Sequence, residues 1–297
     1  MRKWWLLSAA FVLWLISGYG IVQSRQRDAS PAGSDGREPA RIVSMAPNVT
    51  EILFALGLGE NVVAVTQDSD YPSAALEKSQ VGTFWQPNME AVVANQPDLV
   101  VTLAFEQQRD LARRLRRMGL RCLVVDIQSV GDLYDAIAAI GDAAGARVQA
   151  GALCDNIQSE IHKLQQATTG MPKVKVLWVV QREPLRVAGR DTFINEIIEL
   201  ASGENAIGRT LHKYPPIGAE QIIVSAPEVI IEPTMVQGQA ERQQQAPAYW
   251  SRFGDLPALA NERIYVIDGD MVSRLGPRLH IAVEAVAKCL RPELFGE

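Results

Sequence analysis

Two stretches of this chain place aromatic side chains just ahead of a helix that opens on an acid. In the first, Phe84 and Trp85 sit in a turn, and Pro87, Asn88, Met89 and Glu90 start a helix that Pro97 stops. In the second, Tyr214 and Pro215 precede a helix that opens with Glu220 and stops at Pro227. Flat aromatic faces in loops suit a large, flat or partly apolar ligand. The plainer alternative is that Phe84 or Trp85 plugs a core. Aromatics at matching points in both stretches favour ligand contact. Glu90 and Glu220 each offset the positive end of a helix dipole, worth about 0.3–1 kcal/mol. That accounts for each acid alone but not for the pair.

No bond-making chemistry accompanies these residues. The chain has no G-x-x-x-x-G-K-[ST], no G-x-S-x-G and no H-E-x-x-H. His162, His212 and His280 are far apart, and Cys122, Cys154 and Cys289 show no C-x-x-C spacing. We therefore expect no metal site, no resident cofactor and no enzymatic activity. The cysteines read as small buried hydrophobes, and their spacing leaves one disulfide open. The net charge of −5 comes with no dominant basic patch, which argues against nucleic acid. The basic run from Arg109 to Arg121 reads as the wet face of a helix, with Leu111, Leu115 and Met118 at helical spacing on the dry face.

The elements that must position the aromatics alternate between strand and helix. Strand-like runs are Arg41–Met45, Asn61–Thr66, Asp98–Leu103 and Arg121–Ile127, then Lys173–Val180, Glu228–Pro233 and Arg263–Asp268. Helical patterns separate most of them, which predicts parallel sheets covered by helices. From Ser129 to Thr169 the alternation breaks. Gly141 and Gly145 interrupt a helical pattern there, and Arg147–Ala167 reads as one helix of about 30 Å at 1.5 Å per residue. The blocks on either side repeat one another. "EAVVANQPDLVV" from Glu90 matches "EQIIVSAPEVII" from Glu220, and "EILFALGLGEN" echoes "EIIELASGEN". The expected fold is α/β: two Rossmann-like lobes joined by one long helix, with a cleft between the carboxyl ends of their strands. The lobes are expected at 41–144 and 170–297, with the linking helix at 145–169.

The N-terminus reads as export chemistry. Arg2 and Lys3 precede an apolar run to Val22, long enough for the roughly 17–25 residues that span a bilayer. It is either a signal peptide or a retained anchor, and no cysteine follows it to accept a lipid. Residues 23–40 are polar and rich in Pro, Gly, Ser, Asp and Arg, as in a flexible tether.

At "RIVSMAPNVTEILFALGL" (Arg41–Leu58), "SDYP" (Ser69–Pro72), the Glu-led helices and "SGEN" (Ser202–Asn205), the chain resembles the periplasmic cobalamin-binding protein family and its relatives for ferric siderophores and haem. The resemblance covers Arg41 to Leu290. It implies an extracytoplasmic, monomeric substrate-binding component of an ABC importer, soluble in the periplasm or tethered to the inner membrane by the N-terminal segment. It implies that Glu90 and Glu220 dock onto a permease dimer. It places Phe84, Trp85 and Tyr214, with Asp270 and Arg274 of "DGDMVSRLGPR", against the ligand. The leading ligand is a corrinoid, cobalamin. A ferric siderophore or haem is the alternative, because Asp68 and Leu103 stand where the family pattern has Tyr and Trp. A sensor anchored in the membrane would use the same fold.

Overall fold

β-branched runs that are each followed by a helix pair in parallel, because the crossover helix returns the chain to the same edge. The computed structural model describes residues 38–235 and 238–296. The apolar N-terminal segment and all but the end of the tether lie outside these residues. In the first lobe, β1 (Ile42–Ser44), β2 (Val62–Val65), β3 (Ser79–Gln80), β4 (Leu99–Leu103) and β5 (Cys122–Val125) form a parallel sheet in the order β3-β2-β1-β4-β5. All five residues of β4 are buried, as expected for a central strand covered on both faces. The order reverses between β1 and β4. A doubly wound sheet opens a crevice at that point, outside the carboxyl ends of its strands. The helices of this lobe are α1 (Pro47–Ala55), α2 (Met89–Ala94), α3 (Glu106–Arg117) and α4 (Val130–Ala144).

Helix α4 starts at a capping box of Ser129 and Asp132 and stops at Gly145, whose φ of +75° suits glycine. Gly141 does not interrupt it. A Cβ there would lie 2.5 Å from the Ala150 Cβ, so the glycine lets α4 approach α5 (Arg147–Ala167) closely. Met118 also departs from expectation. Leu111 and Leu115 are buried, but Met118 falls beyond the last turn of α3 and is 55% exposed.

In the second lobe, β6 (Val174–Arg182), β7 (Leu185–Val187), β9 (Val229–Thr234) and β10 (Ile264–Asp268) run in the order β10-β9-β6-β7, and β8 (Gly203–Asn205) lies parallel to β6. β7 is antiparallel to β6, so this sheet is mixed rather than wholly parallel. β3, β7 and β8 carry no apolar run, because two or three residues are too few to show a period. The helices are α6 (Phe193–Leu200), α7 (Ala219–Ser225), α8 (Gln239–Ser251), α9 (Pro257–Ala260), α10 (Gly269–Ser273) and α11 (Leu279–Leu290).

One apolar cluster runs from Ile42 and Leu99, through Ile157 and Ile161 of α5, to Val176 and Trp178. Each such fully buried aliphatic contributes about 1.5–3 kcal/mol. The long helix is therefore packed into a core shared by both lobes.

Candidate functional site

The aromatic turn of the first lobe is built from its base upward. Gly82 has a φ of +90°, and a Cβ on it would come within 2.5 Å of the Gln86 carbonyl, so only glycine closes this turn. Gly82 and Pro87 bridge its base, and the Thr83 N–H donates to the Gln86 carbonyl at 3.2 Å. Two side chains then pin Phe84. Its N–H donates to Asp68 Oδ2 at 2.6 Å, and its carbonyl accepts from Gln108 Nε2 at 2.7 Å. Gln108 is itself buried and accepts from Thr102 at 2.6 Å. Phe84 is half-buried against the main core, whereas Trp85 is 63% exposed. One ring is an anchor and the other is presented.

A third ring completes this wall. Phe105 follows β4 and is 50% exposed. It meets Phe84 edge-on at 5.4 Å and Trp85 at 6.0 Å, and Phe84 and Trp85 are 4.8 Å apart. Phe105 is not among the ligand residues expected from the sequence. The available signal was its place just past the carboxyl end of a strand, where a doubly wound sheet presents ligand contacts.

Tyr214 of the second lobe meets this group at Phe105 alone, since Phe84 and Trp85 do not line the cavity that Phe105 and Tyr214 share. With Phe105, Asp126, Gln128, Phe193 and Lys213 it lines an interlobe cavity of about 310 Å³. The size falls at the small end of ligand pockets, about 300–1,000 Å³. Lys213 Nζ donates to Gln128 Oε1 at 3.0 Å, from one lobe to the other. The Lys213 loop is held by Gly189, whose N–H donates to the Lys213 carbonyl at 2.8 Å. Burial pushes the Tyr214 phenol above its ordinary range. A second cavity of about 190 Å³ lies between α5 and α11, lined by Leu164, Ala167, Leu200 and Phe295 among others, away from the strand ends.

The other expected site residues lie elsewhere. Asp270 and Arg274 do not line the cavity; they pair with each other at 2.5 Å, and Arg274 also pairs with Asp70 at 2.6 Å. The loop 68–71 connects the two places, since Asp68 holds the aromatic turn. Glu90 and Glu220 are exposed in the first turns of α2 and α7, and among the described residues neither has a hydrogen bond or ion pair. Asn88 caps α2 by accepting from the Ala91 N–H at 3.1 Å. The repeat is visible in the backbone too. Gln96 and Ala226, each just before the proline that follows its helix, have φ of +46° and +43°.

The family model described as "Periplasmic binding protein" matches residues 42–271. This chain belongs to the periplasmic binding protein family. An uncharacterized ABC transporter substrate-binding lipoprotein of Bacillus subtilis, YvrC, is 32% identical over 268 residues, covering 88% of this chain and 83% of its own length. The vitamin B12 binding protein BtuF of Vibrio cholerae superposes with a TM-score of 0.72 at 25% identity, over 86% of this chain and 98% of its own. The heme binding protein HutB of the same organism does so with 0.74 at 26% identity, over 85% and 99%. As a periplasmic binding protein the chain is an extracytoplasmic substrate-binding component of an ABC transporter and not an enzyme. These B12 and haem receptors superpose on it to a similar degree, so structural similarity leaves the ligand to the cleft. No helix among the described residues is long and apolar enough to cross a membrane.

Proposed function

We propose that this periplasmic binding protein captures a corrinoid, cobalamin in the first place, between its lobes and hands it to the permease of an ABC importer. The observation that carries this reading is the cluster of Phe84, Trp85 and Phe105, with Trp85 and Phe105 half or more exposed, beside the interlobe cavity that Phe105 lines together with Tyr214. Exposed rings held rigidly lose little entropy on binding and match a broad, partly apolar ring system. Glu90 and Glu220 are the docking charges. Both are exposed and unpaired at equivalent points of the two lobes, as a permease with two equivalent basic patches requires. Arg274 and Asp270 lie outside the cavity lining, so they touch only a ligand that extends beyond it. The protein works as a monomer, either soluble in the periplasm or tethered to the inner membrane by its N-terminal segment.

Haem or a ferric siderophore is the second reading. Lys213 favours it, because an ammonium lining the cavity meets the anionic groups of such chelates. The two are separated by calorimetric titration of the full chain with cyanocobalamin, haemin and a ferric siderophore in parallel. Cobalamin binding weakened by Trp85→Ala or Tyr214→Ala supports the first reading. A response to haemin or the siderophore alone moves the ligand to the second, and silence from all three sinks both.

A further inference from the structure

Besides the helix and the cleft, the second lobe grips the first through the segment that follows β10. Arg278 forms a two-pronged pair with Glu51 of α1, Nε to Oε2 at 2.8 Å and Nη2 to Oε1 at 2.6 Å. The side chains are 1% exposed for Glu51 and 15% for Arg278. The same guanidinium lies over the Tyr71 ring, 4.1 Å from its centroid, and reaches Asp270 Oδ2 at 3.2 Å. Beside it, Arg274 spans Asp70 and Asp270, and Asn48 Nδ2 donates to the Leu275 carbonyl at 3.1 Å. Asn48, Glu51, Asp70 and Tyr71 belong to the first lobe. Asp270, Arg274, Leu275 and Arg278 belong to the second.

We infer that Glu51 and Arg278 are positioning residues: a clasp between the lobes that sets the width of the cleft before a ligand arrives. Glu51 sits in α1 between Thr50 and Ile52, all of them buried. An apolar residue would satisfy that position if only the first lobe's core were at stake. Taking an ion out of water costs several kcal/mol, and a buried pair recovers it only with both prongs in place. Because each partner belongs to a different lobe, the cost is coupled to lobe position. A slight separation strands two charges in a dry site, whereas a wide one lets water reach them. Partial opening is therefore disfavoured, and the lobes have a clasped arrangement and an open, wetted one. The hydrogen bonds that Arg278 donates to Glu51 hold it above the ordinary arginine range in spite of burial, so the guanidinium stays charged. Burial pushes Glu51 up, opposed by the hydrogen bond and charge of Arg278.

The test is the distance between spin labels at Ser73→Cys and Ala240→Cys, one exposed position in each lobe, in the full chain carrying Cys154→Ser and without ligand. The parent should give one narrow distribution. The isosteric Glu51→Gln and, separately, Arg278→Met should lengthen and broaden it. Glu232→Gln is the control, because Glu232 pairs with Arg182 at 2.6 Å inside the second lobe. It should lower the unfolding midpoint and leave the distance unchanged. Distributions for Glu51→Gln and Arg278→Met that match the parent overturn the clasp, as does an equal lengthening from Glu232→Gln. If one clasp variant fails to fold, the other still decides. No ligand enters the measurement, so its outcome is independent of whether the corrinoid reading holds.

Discussion

Trp85 and Phe84 are neighbours with different duties. Trp85 anchors nothing in the core, so Trp85→Ala should leave the unfolding midpoint unchanged and weaken ligand binding roughly tenfold, about 1.4 kcal/mol. Phe105→Ala should act in the same direction. Phe84→Ala should in addition lower stability, by less than the loss of a fully buried ring, since it packs half-buried against the main core. Calorimetry and urea unfolding on the same three variants separate the two effects; a destabilised Trp85→Ala would contradict the division. Cys122 gives a separate test of burial. Its thiol is pushed up to about 11 by desolvation, which the nearby Arg116 only partly offsets. The thiolate is the nucleophile, so iodoacetamide at pH 8 should spare Cys122 in the folded protein and modify it in denaturant. Modification of the folded chain would show that the strand end is open to solvent.

At the scale of elements, the aromatic turn runs directly into helix α2, so exposed rings and an exposed acid lie within a few residues of one another. Gly82→Ala places a Cβ 2.5 Å from the Gln86 carbonyl at a φ of +90°. It should distort the turn and reduce both stability and ligand affinity. Asn88→Ala removes only the N-cap of α2, which costs about 1 kcal/mol, and should leave ligand affinity alone. Urea midpoints with paired titrations rank the two; equal effects on affinity would mean that the turn does not shape the cleft. The left-handed residues Gln96 and Ala226 show that the two Glu-led helices stop in the same way. That supports a common duty for Glu90 and Glu220.

At the scale of the whole molecule, the shared core through Ile157 and Ile161 resists wide hinge motion. On the proposed reading, ligand release is work done on the protein from outside, through Glu90 and Glu220. Reversing both Glu90→Lys and Glu220→Lys should leave ligand affinity unchanged and abolish transport in cells that depend on this chain for uptake. Both acids are exposed, so neither reversal disturbs packing. Uptake at the parent rate would remove the docking assignment. Each single reversal should leave partial uptake, because a bidentate dock loses one of two contacts.

The sequence by itself determined the α/β class, the repeated lobes, the long helix Arg147–Ala167 and the aromatic turn. These depend on local period, proline and glycine placement, and self-similarity, all of which are written along the chain. It also marked Phe84, Trp85, Tyr214, Glu90 and Glu220 as candidates, since they stand at matching points of a repeat. It could not show that Phe84 is the anchor and Trp85 the presented ring, because that depends on which face the core takes. Phe105 stayed hidden because it joins the wall only when β4 is laid beside the turn. Gly141 read as an interruption because its reason, the close pass of Ala150, lies on another helix. The pairing of Glu51 with Arg278 spans 227 residues of chain. Contacts of that kind have no local signature, and only the packing of one lobe on the other decided them.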